Sequence, residues 1–243
     1  MDEKKEKVVG IIGGMGPEST AELIRRVFLL TKTNVEQDHI HIIADSNPKI
    51  PDRTAYLLGK GPSPVPALQE TVKRLTQAGA DLLAIPCNTA HIFYDDMQSA
   101  TSVPILNMIE CCADWTKKSC QPGDQVGLLA TLGTIKAGTY AQALSKRGLK
   151  LILPTEDEQK TLMEAIYGND GVKKGQYSRP LEIVKETSEK LLARGAQVVI
   201  AGCTEISIVA DEIKHPKIID ALTVLAKQIV IEVKGKEFLK EDL

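Results

Sequence analysis

The sequence predicts an α/β protein of two similar lobes, each a parallel sheet flanked by helices, with a ligand site in the cleft between the lobes. Strand-like and helix-like segments alternate along the chain, which is typical of parallel βα units. The order of these segments is repeated in the second half. Two cysteines, Cys87 and Cys203, end apolar runs at matching places in the two halves.

The first half contains apolar runs of the length of buried strands, separated by segments with a helical period. Leu68, Val72 and Leu75 fall on one helical face, and Pro17 suits a first helical turn. We expect strands at 8–13, 40–45, 81–85 and 103–106, and helices at about 17–33, at about 65–78 and after Asn88.

The second half repeats this order. The glycine-rich segment from Gly10 aligns with the segment from Gly127 at an offset of 117 residues, and Cys87 aligns with Cys203 at an offset of 116. We expect strands at 125–130, 149–153, 197–201 and 217–219, and helices at about 135–146 and 180–194. The predicted first lobe is 1–108 with a returning C-terminal helix in 217–243, and the second lobe is 109–216.

Composition excludes several functional classes. The 243-residue chain has a formal net charge of −2 with its basic residues scattered, so neither nucleic acid nor a membrane surface is an expected partner. No apolar stretch approaches the roughly 18 residues of a membrane span, and the charged start at 1–7 is unlike a secretory signal. A cytoplasmic location is therefore expected. Five cysteines without a Cys-x-x-Cys pair predict free thiols and no metal site.

The paired cysteines suggest acid–base chemistry. The carboxyl ends of parallel strands are where ligands bind, and a following helix N-terminus favours thiolate over thiol. One thiolate could remove a proton from one face of a carbon while the opposite thiol delivers a proton to the other face. Alternatively, Cys87 and Cys203 are small apolar packing residues in a two-lobed amino-acid binding protein.

The loops after the predicted strands carry groups suited to a small carboxylate substrate. For the threonines among them, capping of a helix is an equally good interpretation. The candidate substrate-binding residues in these loops are Met15, Asn88, Thr89, Ala90, Thr131, Thr134 and Thr204.

Four motifs in this order carry a family resemblance that covers nearly the whole chain. They resemble the signatures of the aspartate/glutamate racemase superfamily, and specifically its aspartate racemase branch. The motifs are Gly10–Thr20, Asn47–Thr54, Pro86–His91 and Gly202–Ile206.

The resemblance implies a racemase that interconverts L- and D-aspartate without pyridoxal phosphate or another cofactor, and that is often a homodimer. It implies that Cys87 and Cys203 are the catalytic acid–base pair. It also implies that Arg53 and Lys173 recognise the substrate, where a guanidinium can bind a carboxylate bidentately and an ammonium can stabilise developing charge. Asp52 and Thr54 flank Arg53 in its motif and are candidate contacts.

Some alternatives stay open. Glutamate racemases resemble Cys-Thr-His at the second site, whereas this chain has Glu205 after Cys203 and Thr204, which disfavours glutamate. A broader acidic amino-acid racemase, or a dicarboxylate isomerase or decarboxylase of the same superfamily, would keep the fold. His91 and Glu205 could tune the two thiols, but we expect His91 to be a capping or core-edge residue.

Overall fold

The computed structural model of the chain describes residues 6–210, 212–213 and 215–240. Most of the charged N-terminal tail and the last three residues of the predicted first lobe lie outside these ranges. The described chain forms two parallel sheets of four strands each, flanked by helices, which confirms the predicted two-lobed α/β fold. Among the described helices, none combines the length and apolar character needed to cross a membrane.

The first sheet and its helices follow the predicted order. Buried apolar residues fill the central strands, as expected for a sheet covered on both faces. The elements are β1 Val9–Gly13, α1 Pro17–Leu30, β2 Ile42–Ser46, α2 Arg53–Leu57, α3 Val65–Gln77, β3 Leu82–Ala84, a 3-10 helix Thr89–Phe93, α4 Tyr94–Gln98, β4 Ile105–Leu106 and α5 Met108–Lys117.

The second sheet repeats the arrangement. Its long helices α8 and α9 pack against each other and are joined by a loop that contains a short 3-10 turn. The elements are β5 Gln125–Leu129, α6 Leu132–Ala137, α7 Thr139–Ser145, β6 Lys150–Ile152, α8 Glu156–Tyr167, α9 Ser178–Ala193, β7 Ala196–Ala201, α10 Thr204–Ala210, β8 Ile218–Asp220 and α11 Ala221–Val233.

The two sheets have the same strand order. The first is β2-β1-β3-β4 and the second is β6-β5-β7-β8, with every pair parallel. In both, the first strand of the lobe lies between the second and the third. The strands before Cys87 and Cys203, β3 and β7, therefore occupy equivalent positions, in agreement with the repeat read from the sequence.

Two predictions were wrong, the extent of one helix and the lobe to which one strand belongs. The helix expected at about 135–146 is divided into α6 and α7, because Gly138 adopts a left-handed conformation (φ 69°) that ends the first of them. The helix expected after Asn88, by contrast, is present as a 3-10 helix that continues into α4. Residues 218–220, assigned to the first lobe, form β8 and pair with β7 of the second sheet.

The C-terminal helix α11 packs against both α1 and α5, so it contacts helices assigned to different lobes. A single apolar cluster contains residues of both sheets, including Ile11 of β1 and Leu128 of β5. The remaining lobe boundaries stay a prediction. The shared core nevertheless means that the two lobes pack directly on each other.

A fully buried arginine ties the lobes together behind the second cysteine. Arg26 of α1 is ion-paired with Asp220, the N-cap of α11, and donates to the carbonyl of Ser207 in α10 at 3.0 Å. The Ser207 amide in turn donates to the Cys203 carbonyl at 3.0 Å. An unpaired buried charge costs several kcal/mol, so separation of Arg26 from Asp220 is unfavourable. Because Arg26 also donates to Ser207, the ion pair restrains α10 and Cys203, which directly precedes it.

Candidate active site

Cys87 and Cys203 line the same cavity at the interface of the two lobes. Cys87 follows the end of β3 by three residues, and Cys203 follows the end of β7 by two, immediately before α10. Both are buried free thiols. The cavity has a volume of about 10 Å³ and is also lined by Met15, Arg53, Asn88, Thr89, Thr131, Tyr167, Lys173, Thr204 and Glu205.

The cavity is smaller than an amino acid. A volume of this size corresponds to about one water molecule. A second, outer pocket of about 380 Å³ shares Met15, Arg53, Lys173 and Glu205 with the inner cavity. These four residues therefore border both spaces, and an amino acid can occupy the inner cavity only if some of the side chains that line it move.

Glu205 connects the second thiol to a lysine. The Cys203 thiol donates to Oε2 of Glu205 at 3.1 Å, and Oε1 of the same carboxylate is ion-paired with Lys173. Burial raises the pKa of Cys203 well above its ordinary value, and the Glu205 carboxylate adds to this shift. The expectation that the helix N-terminus would favour thiolate is thus wrong for Cys203, although α10 does begin at the next residue.

Lys173 is held near both thiols. Burial works to lower the pKa of Lys173, but the Glu205 carboxylate outweighs that effect, so the pKa is raised above its ordinary value. The residue lies in a 3-10 turn, Val172–Lys174, in the segment between α8 and α9. An ammonium in this position stays charged and faces the cavity between Cys87 and Cys203.

Arg53 approaches the first thiol. Its Nη1 donates to the carbonyls of Ile50 and Pro51 at 3.3 and 3.1 Å. Burial alone lowers the pKa of Arg53, but interaction with Cys87 and Asp52 outweighs it and the pKa is raised. Cys87 therefore faces a cation, whereas Cys203 faces a carboxylate.

Two buried donors at this cavity have no hydrogen-bond partner among the described residues. They are Nε of Arg53 and Nδ2 of Asn88, whose side-chain oxygen accepts from Tyr140 at 2.6 Å. A buried donor without a partner costs about 1–3 kcal/mol. Both would be satisfied by an acceptor with several lone pairs, and a carboxylate is such a group.

The threonines form a hydrogen-bonded cluster across the lobe interface. The Thr89 hydroxyl lies 3.0 Å from that of Thr131 and 2.9 Å from that of Thr134, and the Thr54 hydroxyl lies 3.4 Å from that of Thr131. Thr131 also caps α6. Gly133 permits this close approach, because a Cβ there would lie 2.7 Å from the Thr54 hydroxyl.

Four of the predicted substrate-binding residues do not line the inner cavity. Thr54 and Thr134 belong to the threonine cluster behind it, and Ala90 is fully buried in the apolar cluster of the first lobe. Asp52 caps α2 by accepting from the Ala55 amide at 2.7 Å, and it lines the outer pocket.

His91 is a structural residue at this site. Its Nε2 accepts from the Met108 amide at 3.0 Å, so Nδ1 carries the proton and donates to the Cys87 carbonyl at 2.9 Å. Burial lowers the pKa of His91 to about 4, which keeps the ring neutral. This arrangement agrees with the capping or core-edge role expected from the sequence.

Sequence reasoning missed two tyrosines. Tyr167 lines the inner cavity, and its hydroxyl lies 3.4 Å from that of Thr54. Tyr167 begins the segment that contains Lys173, so the prediction that Lys173 binds the substrate could have been extended to Tyr167. Tyr140 holds Asn88 from the other lobe, and no local pattern pointed to it.

The chain is similar to known racemases along most of its length. The sequence profile of the family described as Asp/Glu/Hydantoin racemase matches residues 12–229. The broad-specificity amino-acid racemase RacX of Bacillus subtilis (strain 168) is 28% identical over 230 residues, which cover 92% of this chain and 96% of that protein.

Two solved structures have the same architecture. An aspartate racemase from Picrophilus torridus superposes with a TM-score of 0.81 at 29% identity, covering 93% of each chain. An aspartate racemase homologue from Pyrococcus horikoshii OT3 superposes with a TM-score of 0.71 at 25% identity, covering 93% of this chain and 98% of that one. With two equivalent cysteines at the shared cleft and a profile that matches most of its length, the chain belongs to the Asp/Glu/hydantoin racemase family.

Proposed function

We propose that this protein is an aspartate racemase that uses Cys87 and Cys203 as a two-base pair, without pyridoxal phosphate. The observation that carries the proposal is the pairing itself. Two buried thiols from equivalent strand ends line one cavity, together with donors that suit a carboxylate and have no partner among the residues that the structure describes. Neither thiol is in a disulfide, so both can exchange protons.

The proton transfers follow from the different surroundings of the two thiols. Cys203 begins as a thiol, because burial and Glu205 raise its pKa. In one direction the Cys87 thiolate removes the α-proton from one face of the substrate, and the Cys203 thiol delivers its proton to the opposite face. The products are the other enantiomer, a Cys87 thiol and a Cys203 thiolate. The reverse direction exchanges the two roles.

Charge that develops on the substrate needs stabilisation when the α-proton leaves. It spreads onto the α-carboxylate, where a donor fixed beforehand stabilises the transition state more than the ground state. The Nδ2 group of Asn88 and the Lys173 ammonium are the candidates, since both line the inner cavity. The two N–H groups of Asn88 Nδ2, which have no partner in the described part of the chain, suit a carboxylate oxygen.

Aspartate is proposed as the substrate because Arg53 offers a buried guanidinium for a second carboxylate. The structural relative from Picrophilus torridus is named an aspartate racemase. One observation favours a second candidate, a racemase of broader specificity. The outer pocket of about 380 Å³ could receive a side chain longer than that of aspartate, and the Bacillus subtilis relative is named a broad-specificity racemase.

The test is incubation with L-aspartate in heavy water without added pyridoxal phosphate. We expect D-aspartate by chiral chromatography and deuterium at the α-carbon by proton NMR. The same assay with a panel of L-amino acids separates the aspartate proposal from the broader one. Absence of exchange and product for every amino acid would refute both.

Single replacements test the two-base scheme. Cys87→Ser and Cys203→Ser should each reduce kcat by at least about a thousandfold, since a serine hydroxyl is a far weaker acid than a thiol and the cycle needs both sites. Cys120→Ser, a free cysteine outside the cavity, is the matched control. Near-normal turnover in either active-site variant would contradict the scheme.

We also propose that the protein is a homodimer, and sedimentation velocity can test this.

A further inference from the structure

The side-chain amide of Asn88 is held in one orientation by a residue of the other lobe. Its Oδ1 accepts a hydrogen bond of 2.6 Å from the hydroxyl of Tyr140, in α7. Its Nδ2 is buried and has no partner within the described ranges of the chain. Asn88 lines the inner cavity, whereas Tyr140 does not.

The geometry of this bond agrees with Oδ1 as the acceptor. Hydroxyl-to-oxygen hydrogen bonds range over about 2.5–3.0 Å, and the 2.6 Å contact lies within that range. A flipped amide would also turn an acceptor toward the cavity.

The tyrosine is able to donate at every ordinary pH. Burial raises the pKa of Tyr140 well above its ordinary value, and interaction with Cys112 adds to the shift. Burial also raises the pKa of Cys112 to about 12, so that this neighbour is a neutral thiol. The phenol thus keeps its proton and donates the 2.6 Å hydrogen bond to Asn88 Oδ1, with the neutral Cys112 thiol also close to its oxygen.

Tyr140 is also fixed in place by the second lobe. It is 1% exposed, and a Cβ on Gly202 would lie 3.2 Å from its ring. Gly202 directly precedes Cys203. The ring therefore packs behind the second thiol while its hydroxyl reaches the residue that follows the first thiol.

We propose that Tyr140 is a positioning residue that sets the Asn88 amide with both Nδ2 hydrogens available to the α-carboxylate of the substrate. The inference rests on the proposed function only in naming the ligand as an α-amino acid. It makes the carboxylate donor of the first lobe dependent on the second lobe. Substrate affinity is thereby coupled to correct packing of the two lobes.

The test combines Tyr140→Phe, Asn88→Ala and the double variant, with L-aspartate as the probe. Calorimetry gives Kd and the racemase assay gives KM and kcat, so that binding is measured independently of turnover. We expect Tyr140→Phe to raise Kd about tenfold, the equivalent of one hydrogen bond. In the Asn88→Ala background the same change should have no further effect on Kd, because Tyr140 acts through Asn88.

Tyr94→Phe is the matched control. It removes a 2.9 Å hydrogen bond from a partly buried tyrosine to the Ile105 carbonyl, outside the inner cavity. Its Kd for L-aspartate should equal that of the wild type. Thermal melts compare the stability of the two Phe variants. Should Tyr140→Phe fail to fold, the Asn88 side-chain NH₂ resonance in the wild type, assigned by its loss in Asn88→Ala, must shift when L-aspartate is added.

Each outcome has a defined meaning. Equal effects of Tyr140→Phe in the wild-type and Asn88→Ala backgrounds would overturn the positioning role, as would an unmoved NH₂ resonance. Wild-type protein that binds L-aspartate without racemising it would refute the proposed function and leave the Kd cycle to decide the role of Tyr140. No binding of L-aspartate or of any other amino acid in the panel would overturn both.

Discussion

The Sγ atom of Cys203 lies 3.1 Å from Oε2 of Glu205, while the other oxygen of that carboxylate pairs with Lys173. The three groups form a chain in which the buried Glu205 carboxylate favours the protonated form of the buried Cys203 thiol, while Lys173 lies at its more exposed end. Charge on Cys203 would be repelled by Glu205 and attracted by Lys173. The protonation state of the thiol therefore depends on a residue two positions away.

We predict that Glu205→Gln lowers the pKa of Cys203. The replacement removes the repulsive charge and leaves the Lys173 ammonium, which favours thiolate. The rate of iodoacetamide alkylation of Cys203, followed by mass spectrometry from pH 6 to 10, should rise at a lower pH than in the wild type. Glu156→Gln, an exposed glutamate in the first turn of α8, is the control. An unchanged alkylation profile would show that Glu205 does not govern the thiol.

The meeting of Cys87 and Cys203 was predictable because the repeat placed each at the end of the third strand of its lobe. Two parallel sheets with the same strand order present the same strand end to a shared cleft. The repeat alone therefore predicted that two cysteines 116 residues apart in the sequence would lie close together. The grouping of Arg53 and Lys173 with the thiols came from the family motifs. Neither follows from periodicity alone.

The polar partners of the site could not be predicted in the same way. Tyr140 and Asn88 are 52 residues apart and lie in different lobes, and their bond depends on side-chain packing at the interface. Thr54 and Thr134 lie in segments that were predicted to bind substrate, but their hydroxyls contact other threonines. Capping and ligand contact use the same residue types, so the local sequence does not distinguish them.

His91 predicts a pH dependence of stability. Its pKa is about 4 in the folded protein and about 6.5 in an unfolded chain, so between these values the unfolded chain binds a proton that the folded protein does not. The free energy of unfolding therefore decreases as the pH falls from 6.5 to 4, by about 3 kcal/mol from this residue.

Urea unfolding of the wild type and His91→Gln at several pH values measures this contribution. The variant should show a weaker loss of stability between pH 6.5 and 4, because glutamine does not titrate. His41→Gln, at an exposed histidine, should keep the wild-type dependence. Parallel curves for the wild type and His91→Gln would mean that His91 is not the group responsible.

From the threonine cluster we predict that the loss of one hydroxyl at the lobe interface lowers the free energy of unfolding. Thr89→Val removes the group that lies within hydrogen-bonding distance of both Thr131 and Thr134. We expect a loss of about 1–3 kcal/mol in the free energy of unfolding, since buried hydroxyls are left with fewer partners. Thr161→Val, which removes an exposed hydroxyl on α8, should change it by less than about 0.5 kcal/mol. Equal effects of the two replacements in urea titrations would argue against a stabilising cluster.

The hydrogen bond between Tyr177 and Glu18 is expected to slow the access of reagents and substrate to the two thiols. The Tyr177 hydroxyl donates to Oε1 of Glu18, a residue that lines the outer pocket, at 2.6 Å. The segment that ends at Tyr177 also carries Lys173, which lines both the outer pocket and the inner cavity. Since the inner cavity holds about one water, some of the side chains that line it must move for an amino acid to enter, and we expect the segment that carries Lys173 to move. Tyr177→Phe removes one exposed hydrogen bond worth about 1 kcal/mol, so alkylation of Cys87 and Cys203 at pH 9 should accelerate about fivefold. Tyr94→Phe should leave the rate unchanged. The same rate in Tyr177→Phe as in the wild type would locate the entry route elsewhere.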